Sequence, residues 1–222
     1  TLHKVQRRYW WPGMARSVSA YVSACRSCQF NKPMVGKPVG KLMPILPPRE
    51  PFHTIRADHL GPLVATADGN RHILVVTDYL TKWLVIVPVP DVTSQTTITV
   101  LKTHVMALHG VPVQLITDRG TAFSSAEFAG FTNSLQVRHV MATGERPQTN
   151  GLTERANRTL ISVLRNYLSP TQEDWDQHLP WATLSINSAR QESSRVTPFE
   201  LVYGRLPALP PDNCFPWPPY PE

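Results

Sequence analysis

The order in which apolar periodicity changes along this chain constrains its fold more than any other feature. Three segments, 53–60, 72–77 and 84–89, read as strands, and Gly61-Pro62 and Asp68-Gly69-Asn70 break the chain between the first two. Connections this short predict an antiparallel meander. The period then changes to 3.6: Ser94 reads as the N-cap of a helix to His109, closed by Gly110 and Pro112. Short β-branched segments at 113–117 and 137–141 bracket a helix over 125–135. A Gly/Pro/Asn loop at 143–151 leads into a long helix to Leu168, and a further helix covers 173–189. Asp78 is assigned to a turn.

Three antiparallel strands followed by helix-separated strands predict an α/β fold. The expected architecture is ribonuclease-H-like, a mixed five-stranded sheet flanked by helices. Proline marks where this core stops. Of 22 prolines, six fall in 33–51 and seven in 207–221, where fixed φ and missing N–H donors exclude helix interiors and central strands. The boundaries that follow are a small helical unit at 1–32, a Pro/Lys linker at 33–51, a core at 52–204 and a Pro-rich tail at 205–222.

Charge follows the same division. Residues 1–57 hold ten Lys and Arg against the single acid Glu50, whereas 58–222 hold twelve against fifteen acids. A basic arm on a mildly acidic body suggests contact with a polyanion. No run of eighteen apolar residues is present, which excludes a membrane-spanning helix, and no signal peptide is visible. Three cysteines in 222 residues argue against a disulfide-stapled scaffold.

Asp58 and Asp118 each end a predicted strand and each precede a glycine, Gly61 and Gly120. Functional groups of sheets collect at strand ends. Glu154 lies early in the long helix, on a polar face with Arg158 and Arg165, opposite an apolar stripe of Leu152, Ala156, Leu160, Val163 and Tyr167. Singly, each acid reads as a turn former or a helix-dipole partner. Jointly, they suit hard cations: oxygen ligands on two Mg²⁺ ions can align both oxygens of a phosphoryl transfer. Without metal, such acids repel and raise one another's pKa, which predicts apo instability at the site.

These residues carry a resemblance. The segments RADHLGPL (56–63), TDYLTKW (77–83), LITDRGTAFSS (115–125), RPQTNGLTERANRTL (146–160) and TPFELVYGR (197–205) resemble the integrases of retroviruses and LTR retrotransposons, most closely the gypsy type. Asp118 and Glu154 are separated by 35 residues, the spacing of the family's D,D-35-E pattern. The resemblance implies Asp58, Asp118 and Glu154 as ligands of two Mg²⁺ (or Mn²⁺) ions. It also implies 3′-end processing of element DNA followed by transfer of those 3′ hydroxyls into target DNA. The implied partner is double-stranded DNA, with a homo-multimer assembled on it, no membrane, and the nucleus as the site of action after a cytoplasmic particle. Gln148 and Asn150 match DNA-contacting loop positions, and Arg158 matches a basic helix position, although a solvated surface arginine reads the same way. Glu145 and Arg146 depart from the family, which usually has an aromatic residue and then His or Asn there.

Cys25 and Cys28 form a CxxC that supplies half of a zinc tetrahedron. By resemblance, 1–32 is the second half of a His-His-Cys-Cys domain whose histidines would precede Thr1. The two thiolates alone are therefore expected to bind Zn²⁺ poorly. His3 reads as a surface residue and Cys214 as incidental. The arm's basic residues, Lys4, Arg7, Arg8, Arg16, Arg26, Lys32, Lys37 and Lys41, read either as phosphate contacts or as a soluble arm, with Lys37 and Lys41 the better DNA-binding candidates. Tyr9, Trp10 and Trp11 read as a small-domain core in preference to base-stacking groups. The alternative function is a degenerate or host-adopted module that binds nucleic acid without catalysis.

Overall fold

A central strand with its two faces packed against different helices organises the chain. The computed structural model describes residues 1–26, 48–142, 147–192, 194–210 and 212, with side chains described outside 147–155. Strands β1 (Thr54–Leu60), β2 (His72–Asp78), β3 (Leu84–Val89), β4 (Gln114–Thr117) and β5 (Arg138–Met141) form one sheet in the order β3-β2-β1-β4-β5. β1, β2 and β3 pair antiparallel, and β4 and β5 add in parallel. This is the predicted meander followed by helix-separated crossovers, and the ribonuclease-H-like arrangement of the mixed sheet holds.

The helices are α1 (Leu2–Gln6), α2 (Met14–Ala24), α3 over 94–109, α4 (Thr121–Ser124), α5 (Ala126–Ser134), α6 (Pro147–Leu164), α7 (Trp175–Asn187) and α8 (Pro198–Tyr203). Within α3, the α-helical turns Ser94–Val100 give way to a π segment, Leu101–Met106, before Ala107–His109. Thr93, and not Ser94, caps α3: its side chain accepts from the Thr96 amide. The Ser94 hydroxyl is spent elsewhere, donating to the Ala122 carbonyl and to the Ser125 hydroxyl.

The period-two alternation sorts side chains between the two faces. Ile55, Ala57, Leu74, Val76, Val87 and Val89 pack on one side with Leu101, Val105, Phe123 and Phe128. Ile73, Val75, Leu84 and Ile86 pack on the other with Leu160 and Leu164 of α6 and Leu179 and Ile186 of α7. β2 is therefore buried on both faces, which is why it reads as a continuous apolar run. Asp78 is structural, as its turn assignment predicts: its carboxylate accepts from the Phe52 amide and from both the amide and hydroxyl of Thr81.

Three expectations are corrected. The stripe predicted on the long helix holds at Leu160, but α6 ends at Leu164 and Tyr167, beyond it, is half exposed. The Tyr9, Trp10 and Trp11 cluster is not a core: the three are 40%, 83% and 36% exposed, because α1 and α2 bury Met14 and Val18 and leave the connection between them outside. The basic residues in and just after α1 are not a loose arm either. Lys4 Nζ donates to the Ser185 carbonyl and the Ser188 hydroxyl, Arg7 pairs with both oxygens of Glu200, and Arg8 pairs with Asp212. The last turns of α7, α8 and the start of the tail thus hold the first helix. Cys28, Lys37, Lys41, Glu145, Arg146 and Cys214 lie outside the described residues.

Candidate active site on the sheet face under α6

Asp58 is not at the end of its strand; it is the fifth of the seven residues of β1. Strand register gives it its neighbour. β1 and β4 pair Thr54 with Gln114, Ile55 with Leu115 and Arg56 with Ile116. The same step continued sets Asp58 abreast of Asp118, which follows the last residue of β4. Adjacent strands lie about 4.8 Å apart, so the two residues are neighbours across the pair, and the charge of Asp118 acts on Asp58. Both share the face of Ile73, Val75 and Leu160, the face that α6 covers.

Each acid is held by a separate contact. The Gly120 amide donates to Asp118 Oδ1 at 2.9 Å. A Cβ at Gly120 would lie 3.0 Å from that same oxygen, so a larger residue there would push the carboxylate by a few tenths of an ångström. On the opposite side of β4, the Thr117 hydroxyl donates to the Asp118 carbonyl at 2.9 Å, and His139 Nε2 lies 2.8 Å from the hydroxyl oxygen. With the hydroxyl proton so committed, the imidazole must donate, which places its proton on Nε2. Burial lowers the His139 pKa and keeps the ring in this neutral form.

Asn157 Nδ2 donates to Asp58 Oδ2 at 3.0 Å. Asn157 is three residues beyond Glu154 on α6, about 4.5 Å along the axis. The helix that carries the third predicted acid therefore passes directly over the first. The Glu154, Gln148 and Asn150 positions lie on α6, and their side chains are outside the described set; Arg158 follows on the same helix and is exposed. Among the described residues no group of three or more His, Cys, Asp or Glu gathers as a metal site. Cys25 follows α2 and is partly buried.

Burial raises the Asp58 pKa first, and the charge of Asp118 raises it further; Arg56 and the Asn157 amide act in the opposite direction. A carboxyl whose ionisation is opposed by a neighbouring carboxylate marks a site short of positive charge. Asn157 Oδ1 is buried and has no hydrogen-bond partner. An all-oxygen donor set of this kind fits a hard divalent cation. Sequence reasoning missed Asn157 and the buried Arg56; the signal for each was its spacing from an acid already singled out, three residues on a helix and two on a strand.

The chain is similar to known proteins along most of its length. An integrase core domain model matches residues 48–147, and an integrase zinc binding domain model matches residues 1–34. The transposon Tf2-3 and Tf2-4 polyproteins of Schizosaccharomyces pombe are each 32% identical over 208 residues, covering 93% of this chain and 16% of the polyprotein. The chain thus spans a small part of the curated relatives it matches. A simian T-cell lymphotropic virus intasome, solved in complex with PP2A regulatory subunit B56 gamma, is 25% identical with a TM-score of 0.61, over 89% of this chain and 69% of that one. The HTLV-2 integrase catalytic core domain in complex with magnesium, in its trimeric form, is 22% identical with a TM-score of 0.55, over 72% and 99%. At that identity the likeness concerns the fold.

Proposed function

Since this chain belongs to the integrase family of retroviruses and LTR retrotransposons, we propose that it is a retrotransposon integrase. Its reactions would be metal-dependent processing of the 3′ ends of element DNA and insertion of those ends into target DNA. The observation that carries this reading is the placement of Asp58 abreast of Asp118 beneath the helix bearing Glu154. Asp58, Asp118 and Glu154 would hold two Mg²⁺ or Mn²⁺ ions; magnesium accompanies the related HTLV-2 core. Bound there, the ions would supply Lewis-acid activation of the attacking oxygen and neutralise charge at the leaving oxygen.

The chain's own residues then orient and do not attack. Water is the nucleophile of the first reaction and a DNA 3′ hydroxyl that of the second. Asn157 fixes the rotamer of Asp58, Gly120 fixes that of Asp118, and the His139–Thr117 pair holds the backbone at the end of β4. Gln148, Asn150 and Arg158 would meet DNA along α6, and Lys37 and Lys41 along the linker at 33–51. The unit at 1–32 would bind Zn²⁺ through Cys25 and Cys28 once two histidines complete the tetrahedron, and the core would extend over 52–204. A homo-multimer on DNA, acting in the nucleus, completes the proposal; the intasome neighbour supports the assembly.

The test is a strand-transfer assay with Mg²⁺ on the full-length integrase. Asp118→Asn is expected to lower activity by at least about 100-fold, because it removes a ligand charge rather than a contact. Equal activity in both proteins would refute the proposal. Salt-dependent DNA binding with no strand transfer in either protein would favour the non-catalytic module.

A further inference from the structure

A cleft that the proposed reactions leave unused lies at the junction of α1 and α2. It has a volume of about 570 Å³ and is lined by Tyr9, Trp10, Trp11, Pro12, Met14 and Arg16. Clefts that hold small ligands measure roughly 300–1,000 Å³. Trp10 is exposed, and its indole N–H meets no acceptor among the described residues. The Trp11 indole N–H donates to the Ser17 hydroxyl at 3.4 Å, which fixes that ring. Aromatic rings with an indole donor and a flanking cation make the kind of surface that reads polyproline II. Prolines pack on the ring faces, and the N–H donates to a peptide carbonyl.

We propose that the occupant is this chain's own tail: residues 215–221 dock in the aromatic cleft as a polyproline II strand and tie the N-terminal helices to the end of the core. Residues 213–222 lie outside the described set, and their sequence suits the cleft. The run FPWPPYP at 215–221 holds four prolines, with Pro216 and Pro219 at PxxP spacing. Where the tail starts is fixed. Asp212 pairs with Arg8, the residue before Tyr9, and also accepts from the Leu209 amide. Pro216 is four residues further on, about 12 Å at the polyproline II rise of about 3.1 Å per residue. Charge selects the tail over the other proline cluster. Arg16 lines the cleft, and Glu222 is the acid of 213–222. The linker at 33–51 has no aromatic residue and sets Lys37, Lys41 and Arg49 against Glu50 alone. Because the Arg8–Asp212 pair already brings the tail to the cleft, docking is intramolecular and weak contacts suffice.

The experiment follows the tryptophan indole N–H signals of the full chain by NMR, with that of Trp10 assigned by its loss in Trp10→Phe. Replacing Pro216, Pro218 and Pro219 together with serine is expected to move the Trp10 signal. A synthetic peptide of residues 213–222 should return it. That peptide should bind the triple variant at least about 10-fold more tightly than the wild type, whose cleft is already filled. Asp212→Asn, which loosens the anchor, should fall between the two, and Trp10→Ala should abolish peptide binding. Trp10 is exposed, so its replacement leaves the fold intact. A Trp10 signal that ignores the tail overturns the proposal, as it would if the residues completing the zinc unit cover the cleft. Equal peptide affinity for wild type and triple variant overturns it too. So does a tail effect that grows with protein concentration, which would place the tail of a second copy in the cleft. A peptide of residues 33–51 that binds the triple variant as tightly as the tail peptide also overturns it.

Discussion

Glycine 120 shows how little at the residue scale holds this site in shape. Its φ of −56° and ψ of 151° suit any residue, so alanine there carries no backbone strain. The constraint is the 3.0 Å approach of a Cβ to Asp118 Oδ1, which would displace the carboxylate by a few tenths of an ångström. Gly120→Ala is therefore expected to lower Mg²⁺-dependent strand transfer about 10-fold to 100-fold while Tm moves by less than about 3 °C. A large Tm loss would show that the turn, and not the carboxylate, needs the glycine. The acids themselves were legible in the sequence as types at suggestive spacings. Their adjacency was not, because the register of β4 on β1 is a property of pairing between distant segments. Arg56 was hidden for a simpler reason. A buried arginine and a surface arginine are the same letter, and only its alternation with Asp58 places it on the covered face.

At the scale of elements, the sequence was read most accurately where burial is two-sided. β3 begins and ends where its apolar run does, and β2 differs from its reading only by including Asp78. The π segment of α3 and the single turn of α4 left no periodic signal; their buried residues, Leu101, Val105 and Phe123, join the same apolar cluster as Phe128. The end of α3 carries a pH dependence. His109 stacks on Phe52 with ring centroids 3.9 Å apart and meets Trp83 edge-on. Burial holds its pKa below the ordinary histidine value, and the Asp78 charge offsets only part of this. A depressed folded-state pKa means that protonation favours the unfolded chain. The contribution of His109 is thus complete above about pH 6.5 and is lost as pH falls through the folded value. His109→Gln should flatten the fall of Tm between about pH 7 and pH 5. His139 is shifted in the same direction by burial, so part of the slope should survive. A slope identical to that of the wild type would remove His109 from this account.

At the scale of the whole molecule, the uneven charge of the chain takes on a second meaning. The basic arm suggests contact with a polyanion, yet Lys4, Arg7 and Arg8 are held by Ser185, Ser188, Glu200 and Asp212. Glu200 serves twice, since it also closes the capping box of α8 with Thr197. The TPFE segment thereby builds a receptor for α1 as well as a helix start. The exposed Arg7–Glu200 pair contributes about 1 kcal/mol or less, so that link is weak enough for DNA phosphates to compete for it. Arg7 holds the Glu200 pKa low, and Arg8 does the same for Asp212. Their contribution is present above the ordinary carboxylate values and is lost as pH falls through the lowered ones. Hydrogen-exchange protection across α1 should therefore fall below about pH 4 and also at 1 M salt, where the screening length is about 3 Å. Arg7→Glu should speed exchange at neutral pH, and Arg7→Glu with Glu200→Arg should restore the protection. If exchange in α1 ignores salt, acid and the charge swap alike, apolar packing through Met14 and Val18 holds the helix, and the arm's cations are left for DNA.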